Sequence, residues 1–349
     1  MQDNTRISFN RYKAEVAQAN RLQAVTNEAF NIAPEIQQSL HTALGEQTDF
    51  LKKINQIPVT AQLGDKIGLG VSKPIASRVD TDDEERQTRY LGELDDDKYV
   101  CTQTNFDTHL KYSLMDSWAH LGNFGAIYAG QISKQIARDT IMVGWRGESV
   151  AKKTDLAANP LLEDVNEGWI TKVRKKQPSK RFMGYASGGT ATNDTYKIGE
   201  GGHYNTLDAL VFDMMMNLLD PWHQDAADLV VMVGREVWVH HGLTLLNNSA
   251  LPTERNALQT WFASKTVAGL PCIMPPYLPK RSVIVTSYDN LSVYHQVGSL
   301  RRTILDNPKR DRVEEYISEN VAYAVEDYGK FAGVRDGAIL MKNEAGQWV

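Results

Sequence analysis

The residues of this chain that could do chemistry are scattered, and few stand at spacings that a reaction or a metal ion requires. His240 and His241 are adjacent. On a helix, neighbouring positions point about 100 degrees apart, so the pair does not converge as ligands one turn apart would, and it is expected at a surface or an interface. Asp82, Asp83, Glu84 and Glu85 form an acidic run. It lacks the alternating oxygen donors and internal glycine of a calcium loop and reads as a solvated charge run. GLGVSK, from Gly68 to Lys73, lacks the third glycine of a dinucleotide fingerprint, and no GK[ST] phosphate loop occurs in the sequence; a bend or hairpin is the expectation. Cys101 and Cys272 are far apart and in no ligand spacing, which disfavours both a disulfide framework and a cysteine-rich zinc site. Neither GxSxG nor SxxK with its companion motifs is found, so no nucleophile stands in a recognisable catalytic setting. The run Met214, Met215, Met216 reads as the buried side of a helix. Trp118, Trp145, Trp169, Trp222 and Trp238 read as packing anchors, because basic residues do not interleave with them closely. On this reading the chain has no catalytic, cofactor-binding or metal-ligating residue and needs no cofactor.

One segment concentrates positive charge, KVRKKQPSKR from Lys172 to Arg181. It could touch DNA or an acidic neighbouring subunit, and a solvated loop is its simplest reading. The chain as a whole carries a net charge of -5, which argues against a broad basic face for nucleic acid, so any contact with DNA is expected to be light. With 42% hydrophobic and 23% charged residues in 349 positions, a packed core is available. The size suits two or three domains, or one elongated subunit with extended arms. The polar N-terminus has no signal-peptide core, and no stretch approaches the roughly 18 apolar residues of a membrane span. Synthesis in the cytoplasm and no membrane partner are expected.

The elements that would carry these residues follow from periodicity. Phe9, Tyr12, Val16 and Ala19 recur at spacings of three and four, which predicts an amphipathic helix within the first 30 residues. A second helix is predicted from Pro34 to Leu51, then strands at IPVT and KIGLGV. From Gly64 to Tyr99 the chain is rich in glycine and acids, as in a projecting loop or hairpin that gains order from a neighbour. From Phe124 to Trp145 a long helix is predicted, with Phe124, Ile127, Tyr128, Ile132, Ile136 and Met142 on its core stripe. Pro178 to Gly202 reads as a flexible loop and a candidate boundary. Thr206 is placed to cap a helix over LDALVFDMMMNLL. Strand-like runs DLVVMVG, SVIVTSY and LSVYHQ follow, then RRTILDNPKRDRVEEYIS with a proline turn. A period-two run sets Val321, Tyr323 and Val325 against Ala322, Ala324 and Glu326. The fold class is α+β.

Several dispersed strings resemble the major capsid proteins of peduovirus-type temperate tailed phages. They are TRISFNRY (Thr5 to Tyr12), KIGLGV (Lys66 to Val71), NPLLEDVNEGW (Asn159 to Trp169), LDALVFD (Leu207 to Asp213), DLVVMVGR (Asp228 to Arg235), DNLSVY (Asp289 to Tyr294), NPKRDRVEEY (Asn307 to Tyr316) and YAVEDY (Tyr323 to Tyr328). The resemblance implies the Hong Kong 97 capsid fold. Residues 1–30 would be a scaffold-associated arm, 31–58 the arm of the mature subunit and 59–112 the extended loop. Residues 113–205 would form the peripheral domain with its spine helix, 206–300 the axial domain, and 301–349 peripheral-domain strands that return to the axial domain.

The same resemblance implies self-assembly as pentamers and hexamers into an icosahedral shell in the host cytoplasm. The partners would be a scaffold and protease protein of the same phage, a portal at one vertex, and packaged double-stranded DNA. The arm would be removed by cleavage near Phe30 and Asn31, and Phe9, Tyr12, Val16 and Ala19 would form its scaffold-binding face. Lys66 and Lys73 carry no signature of a subunit crosslink, and none is expected. The alternatives are an encapsulin-like compartment of the same fold, an enzyme with an unrecognised site, and a nucleic-acid-binding module.

Overall fold

The strand Arg312–Val325 shows how this sequence builds its sheet. Alternate residues of a strand share a face, and Val313, Glu315, Ile317, Glu319, Val321 and Tyr323 are all buried. Two acids are thus interleaved with apolar residues on one covered face. The strand runs antiparallel to Arg301–Asn307, from Arg301 opposite Ser318 to Asn307 opposite Arg312. The reversal passes through a short 3₁₀ turn, Pro308–Arg310, and Asp311 at φ 49°, a left-handed conformation that Asp tolerates better than most residues. Thr102–Asn105 and Thr108–Lys111 pair with the same strand. Among the described residues the sheet has seven strands, and its main path runs Phe30–Asn31, Arg301–Asn307, Arg312–Val325, Leu291–Gln296, Asn55–Val59.

The computed structural model describes residues 3–20, 22, 29–66, 76, 78–80, 85–86, 98–118, 124–248, 265–343 and 346–349. The GLGVSK segment, the acids at 82–84 and 95–97, and the side chains of Trp118 and Phe124 lie outside this description. The chain divides into two units. The first comprises Met1–Gly64, Val100–Gly168 and Ser292–Tyr323; the second comprises Asp65–Tyr99, Trp169–Leu291 and Ala324–Val349. Residues 169–205 therefore group with the second unit, not with the long helix as the sequence suggested, and 324–349 also belong to the second unit.

In the first unit, helices Asp3–Ala19, Pro34–Glu46, Tyr112–Trp118 and Phe124–Arg146 accompany the sheet. Pro34 opens its helix at a position where a missing N–H is harmless. That helix ends at Glu46, short of the expected Leu51. Thr48 Oγ1 accepts a hydrogen bond from the Leu51 amide at 3.3 Å, a local turn that competes with helical pairing. The long helix has the expected length, but its stripe is rotated. Ile132, Ala137, Ile141 and Trp145 are buried, Tyr128 and Ile136 are half-buried, and Ile127 is exposed. Beyond its end the backbone crosses itself closely: the Gly168 amide donates to Gly147 O at 3.0 Å. A Cβ on Gly168 would stand 2.4 Å from the carbonyl oxygens of Val143 and Gly144.

Among its described residues the second unit holds a six-stranded sheet in the order Thr266–Val267, Leu270–Ile273, Val230–Val233, Val283–Thr286, Ala332–Val334, Phe182–Met183. Val230–Val233 and Val283–Thr286 are buried at every position, as strands covered on both faces must be. Helix Leu207–Leu218 presents Leu207, Leu210, Val211 and Met214 to this core, each fully buried. Thr206 caps it as expected, its Oγ1 accepting from the Ala209 amide at 3.3 Å.

Several local expectations are corrected here. Met215 is only partly buried and Met216 is 64% exposed, because a helix cannot turn three consecutive residues inward. Trp222 is 49% exposed, whereas Trp145 and Trp169 are buried. Residues 321 to 325 are all buried, so the period-two run does not separate a wet face from a dry one. The stretch from Pro178 carries a short helix, Pro178–Arg181, and strands Phe182–Met183 and Tyr196–Ile198. Arg181, counted in a solvated basic segment, is buried: its guanidinium grips Asp220 at 2.9 and 3.0 Å and donates to Leu218 O at 2.6 Å. His240 binds Lys342 O at 3.1 Å, and His241 is buried. Cys101 and Cys272 are both free and buried.

Candidate assembly site: the N-terminal arm and its anchor

Helix Asp3–Ala19 turns Phe9, Tyr12 and Val16 inward, each about one-twentieth exposed, together with Ala17. They pack against Leu110, Met115, Ile304 and Val313 of the same chain, with Tyr128 and Phe30 at the margin. Ala19, expected on this stripe, is exposed, and Ala17 takes its place. The stripe assigned to scaffold binding is thus covered by the subunit's own sheet and helices, because burying it there removes it from water without a second protein. The opposite face carries Ile7, 66% exposed, and the Arg11–Glu15 pair at 3.1 Å.

Tyr12 anchors the helix. Its hydroxyl donates to Glu315 Oε2 at 3.2 Å and accepts from Arg302 Nη2 at 2.8 Å, while Arg302 pairs with Glu315 Oε1 at 2.5 Å. Burial, and then the Glu315 carboxylate, push the Tyr12 phenol far above its ordinary range, so it stays a neutral donor. Burial works against the charge on Arg302, but the Glu315 carboxylate and Tyr12 outweigh it and raise its pKa. The Tyr12 ring meets Tyr128 edge to face, centroids 6.0 Å apart, a favoured aromatic geometry. Near the helix start, Thr5 Oγ1 donates to Asp116 Oδ1 at 2.5 Å.

Gly125 lets the long helix approach. A Cβ there would stand 2.9 Å from Tyr12 Cδ2 and 3.3 Å from Glu15 Oε2. Gly125→Val is expected to weaken arm docking by about 1–3 kcal/mol through overpacking. Limited trypsin digestion would then cut at Arg11 and Lys13 several-fold faster than in wild type; unchanged rates would contradict this packing.

Phe30–Asn31 forms a two-residue strand at the sheet edge, Phe30 opposite Arg302 and Asn31 opposite Arg301. Phe30 is half-buried and Asn31 exposed, and the Ile32 amide continues the pairing to Leu300 O at 3.1 Å. Such an edge offers its free side to an incoming extended chain. The Tyr12, Arg302 and Glu315 contacts hold the helix to the sheet. The sequence reading singled out Tyr12, for scaffold binding, and Phe30, for cleavage. It missed Arg302 and Glu315, whose signal was an acid in phase with the apolar positions of a strand.

A family model described as "Phage major capsid protein, P2 family" matches residues 8–336. The protein named "Capsid proteins" of Escherichia phage P2 is 38% identical over 332 residues, covering 94% of this chain and 93% of that protein. The "Major capsid protein" of Serratia phage KSP20 is 33% identical over 350 residues, covering 99% and 100%. Among solved structures, a chain of the satellite phage P4 procapsid including size determination (Sid) protein superposes with TM-score 0.79 at 36% identity, covering 98% of this chain and 99% of that one. The capsid of an empty GTA particle computed with C5 symmetry gives TM-score 0.53 at 14% identity, covering 82% and 89%, a likeness of fold alone.

Proposed function

Because the chain belongs to the P2 family of phage major capsid proteins, and so is a structural subunit of a tailed-phage head with the Hong Kong 97 fold, we propose how it assembles. Subunits close an icosahedral shell as pentamers and hexamers in the host cytoplasm, guided by a scaffold protein of the same phage, with a portal at one vertex. The contacts around each ring are heterologous and close by rotation. The first unit serves as the peripheral domain with its arm and spine helix, the second as the axial domain, and residues 59–112 as the extended loop. The subunit does no chemistry of its own. A separate protease cuts near Phe30 and Asn31, and packaged DNA meets the shell lightly, with Lys175, Lys176 and Lys180 as exposed cations of the second unit.

The observation that carries this reading is the contrast within the arm. Its helix is held by a buried anchor, while the bond to be cut lies in an exposed edge strand. Scaffold contact is reassigned to the outward face around Ile7, since Phe9, Tyr12 and Val16 are occupied. Electron microscopy of the chain expressed with and without the scaffold encoded beside it tests the assembly: uniform closed shells are expected with it, and tubes or aberrant particles without it. Monomers in both cases would refute the scheme. N-terminal sequencing of mature heads is expected to begin near Asn31, and a start at Met1 or Gln2 would remove the cleavage from it.

A further inference from the structure

We propose that His41, His295 and Glu319 form a binding site for one divalent transition-metal ion of the zinc class. The three residues come from helix Pro34–Glu46 and strands Leu291–Gln296 and Arg312–Val325. Each is more than nine-tenths buried, and their ligand atoms lie within 4.8 Å of one another. Two imidazoles and one carboxylate are a donor set that suits zinc with a fourth position left for water.

Hydrogen bonding alone leaves this cluster poorly satisfied. His41 Nε2 lies 2.7 Å from Glu319 Oε1 in a direction poor for a hydrogen bond, and this buried nitrogen has no other partner among the described residues. The imidazole of His295 meets Gln56 Oε1 at 2.7 Å through Nε2 and Glu319 Oε1 at 3.1 Å through Nδ1. With Nε2–H donating to Gln56, the Nδ1 lone pair of His295 faces the Glu319 carboxylate, where a metal ion can sit between them. The two rings stack 3.7 Å apart, so protonating both would set like charges face to face. A single divalent ion answers all three lone pairs once the two rings turn out of their stack.

The surroundings fit a built site. Gln56 on His295 is the outer hydrogen-bond partner that fixes the tautomer of a metal-bound imidazole. Gln37 Nε2 donates to Glu319 Oε1 at 3.0 Å and Gln37 Oε1 accepts from the Gly298 amide at 2.9 Å, which orients the carboxylate. His41 and His295 also line a cavity of about 520 Å³ with Gln38, Thr42, Lys52 and Gln56, which supplies an entry path and room for water. Ligand atoms around tetrahedral zinc stand about 3.3 Å apart given its bond lengths, so binding needs the 2.7 and 3.1 Å contacts to Glu319 to open by less than about 1 Å and the two stacked rings to turn until both lone pairs converge on the ion. It would tie the helix to both strands.

The test uses the purified full chain and its assembled shells, loaded with Zn²⁺ or Co²⁺ alone and dialysed against metal-free buffer. About one ion per subunit is expected, with the visible absorption of four-coordinate cobalt. Gln56→Leu keeps all three ligands and is expected to weaken Co²⁺ binding about 10–100-fold. His41→Gln, in shells verified by electron microscopy, should lose retention altogether. Absence of stoichiometric metal in wild type, or equal retention in His41→Gln, overturns the proposal. Should His41→Gln fail to assemble, unchanged Co²⁺ affinity in Gln56→Leu overturns it by itself.

Discussion

Arg302→Met is expected to destabilise the first unit by about 3–5 kcal/mol, the usual consequence of removing one partner of a buried ion pair. The size follows from what stays behind. Glu315 is 1% exposed, and after the substitution only the Tyr12 hydroxyl would face its carboxylate, a neutral donor in place of a cation. Arg302 also donates to that hydroxyl at 2.8 Å, so the arm helix loses one of the two hydrogen bonds that anchor Tyr12 in the same event. Chemical denaturation of the unassembled subunit should show a lower midpoint, with trypsin sensitivity rising first at Arg11 and Lys13. The triple variant Arg302→Met, Glu315→Leu, Tyr12→Phe removes charge and partners together and should recover much of the loss, because an apolar replacement of the whole network leaves nothing unpaired. A single variant as stable as wild type would mean that water reaches Glu315 freely.

Gly168→Ala should cost about 3 kcal/mol, at the upper end for overpacking. The obstruction is backbone on both sides: the new Cβ would meet two carbonyl oxygens at 2.4 Å, and neither can rotate away as a side chain would. Relief requires parting the Gly168–Gly147 crossing that closes the long helix. Gly130→Ala is the matched control on that helix. Nothing stands within 4 Å of its added Cβ, so the better helix propensity should stabilise by about 0.5–1 kcal/mol. Opposite signs for the two are the expected outcome in thermal unfolding of the subunit, and a destabilised Gly130→Ala would show that the contrast does not come from local space.

What could be read beforehand was whatever repeats locally. Phe9, Tyr12 and Val16 announced a helix by spacing, and Thr206 announced its cap, since each depends on residues within a turn or two. Periodicity fixed that a stripe is buried and left open what buries it, so the arm stripe was assigned to a partner when the chain itself covers it. Arg181 failed for the mirror reason: its charge was visible, while Asp220 lay beyond any local window. Glu315 and Glu319 did leave a trace. They stand in register with Val313, Ile317 and Val321, and an acid in the apolar phase of a strand asks for a buried partner. Their partners, Arg302 for one and His41 and His295 for the other, come from other elements that only the fold assembles. Gly147 and Gly168 were unreadable because the need for them arises where two backbone segments meet. The α+β class followed from the mix of periods, while the Hong Kong 97 fold and the function were carried by resemblance of whole strings, which periodicity alone could not have supplied.

Strand Arg312–Val325 carries two clamps on one face, Glu315 holding the helix Asp3–Ala19 and Glu319 holding the helix Pro34–Glu46. Side chains alternate along a strand, so a slip of one residue would turn both acids and every apolar neighbour away from their partners together. Neither helix can therefore creep along this rail by small steps. Each can leave only by lifting clear, and rearrangement of the arm against the sheet is expected as a discrete, switch-like event with no population of half-shifted subunits.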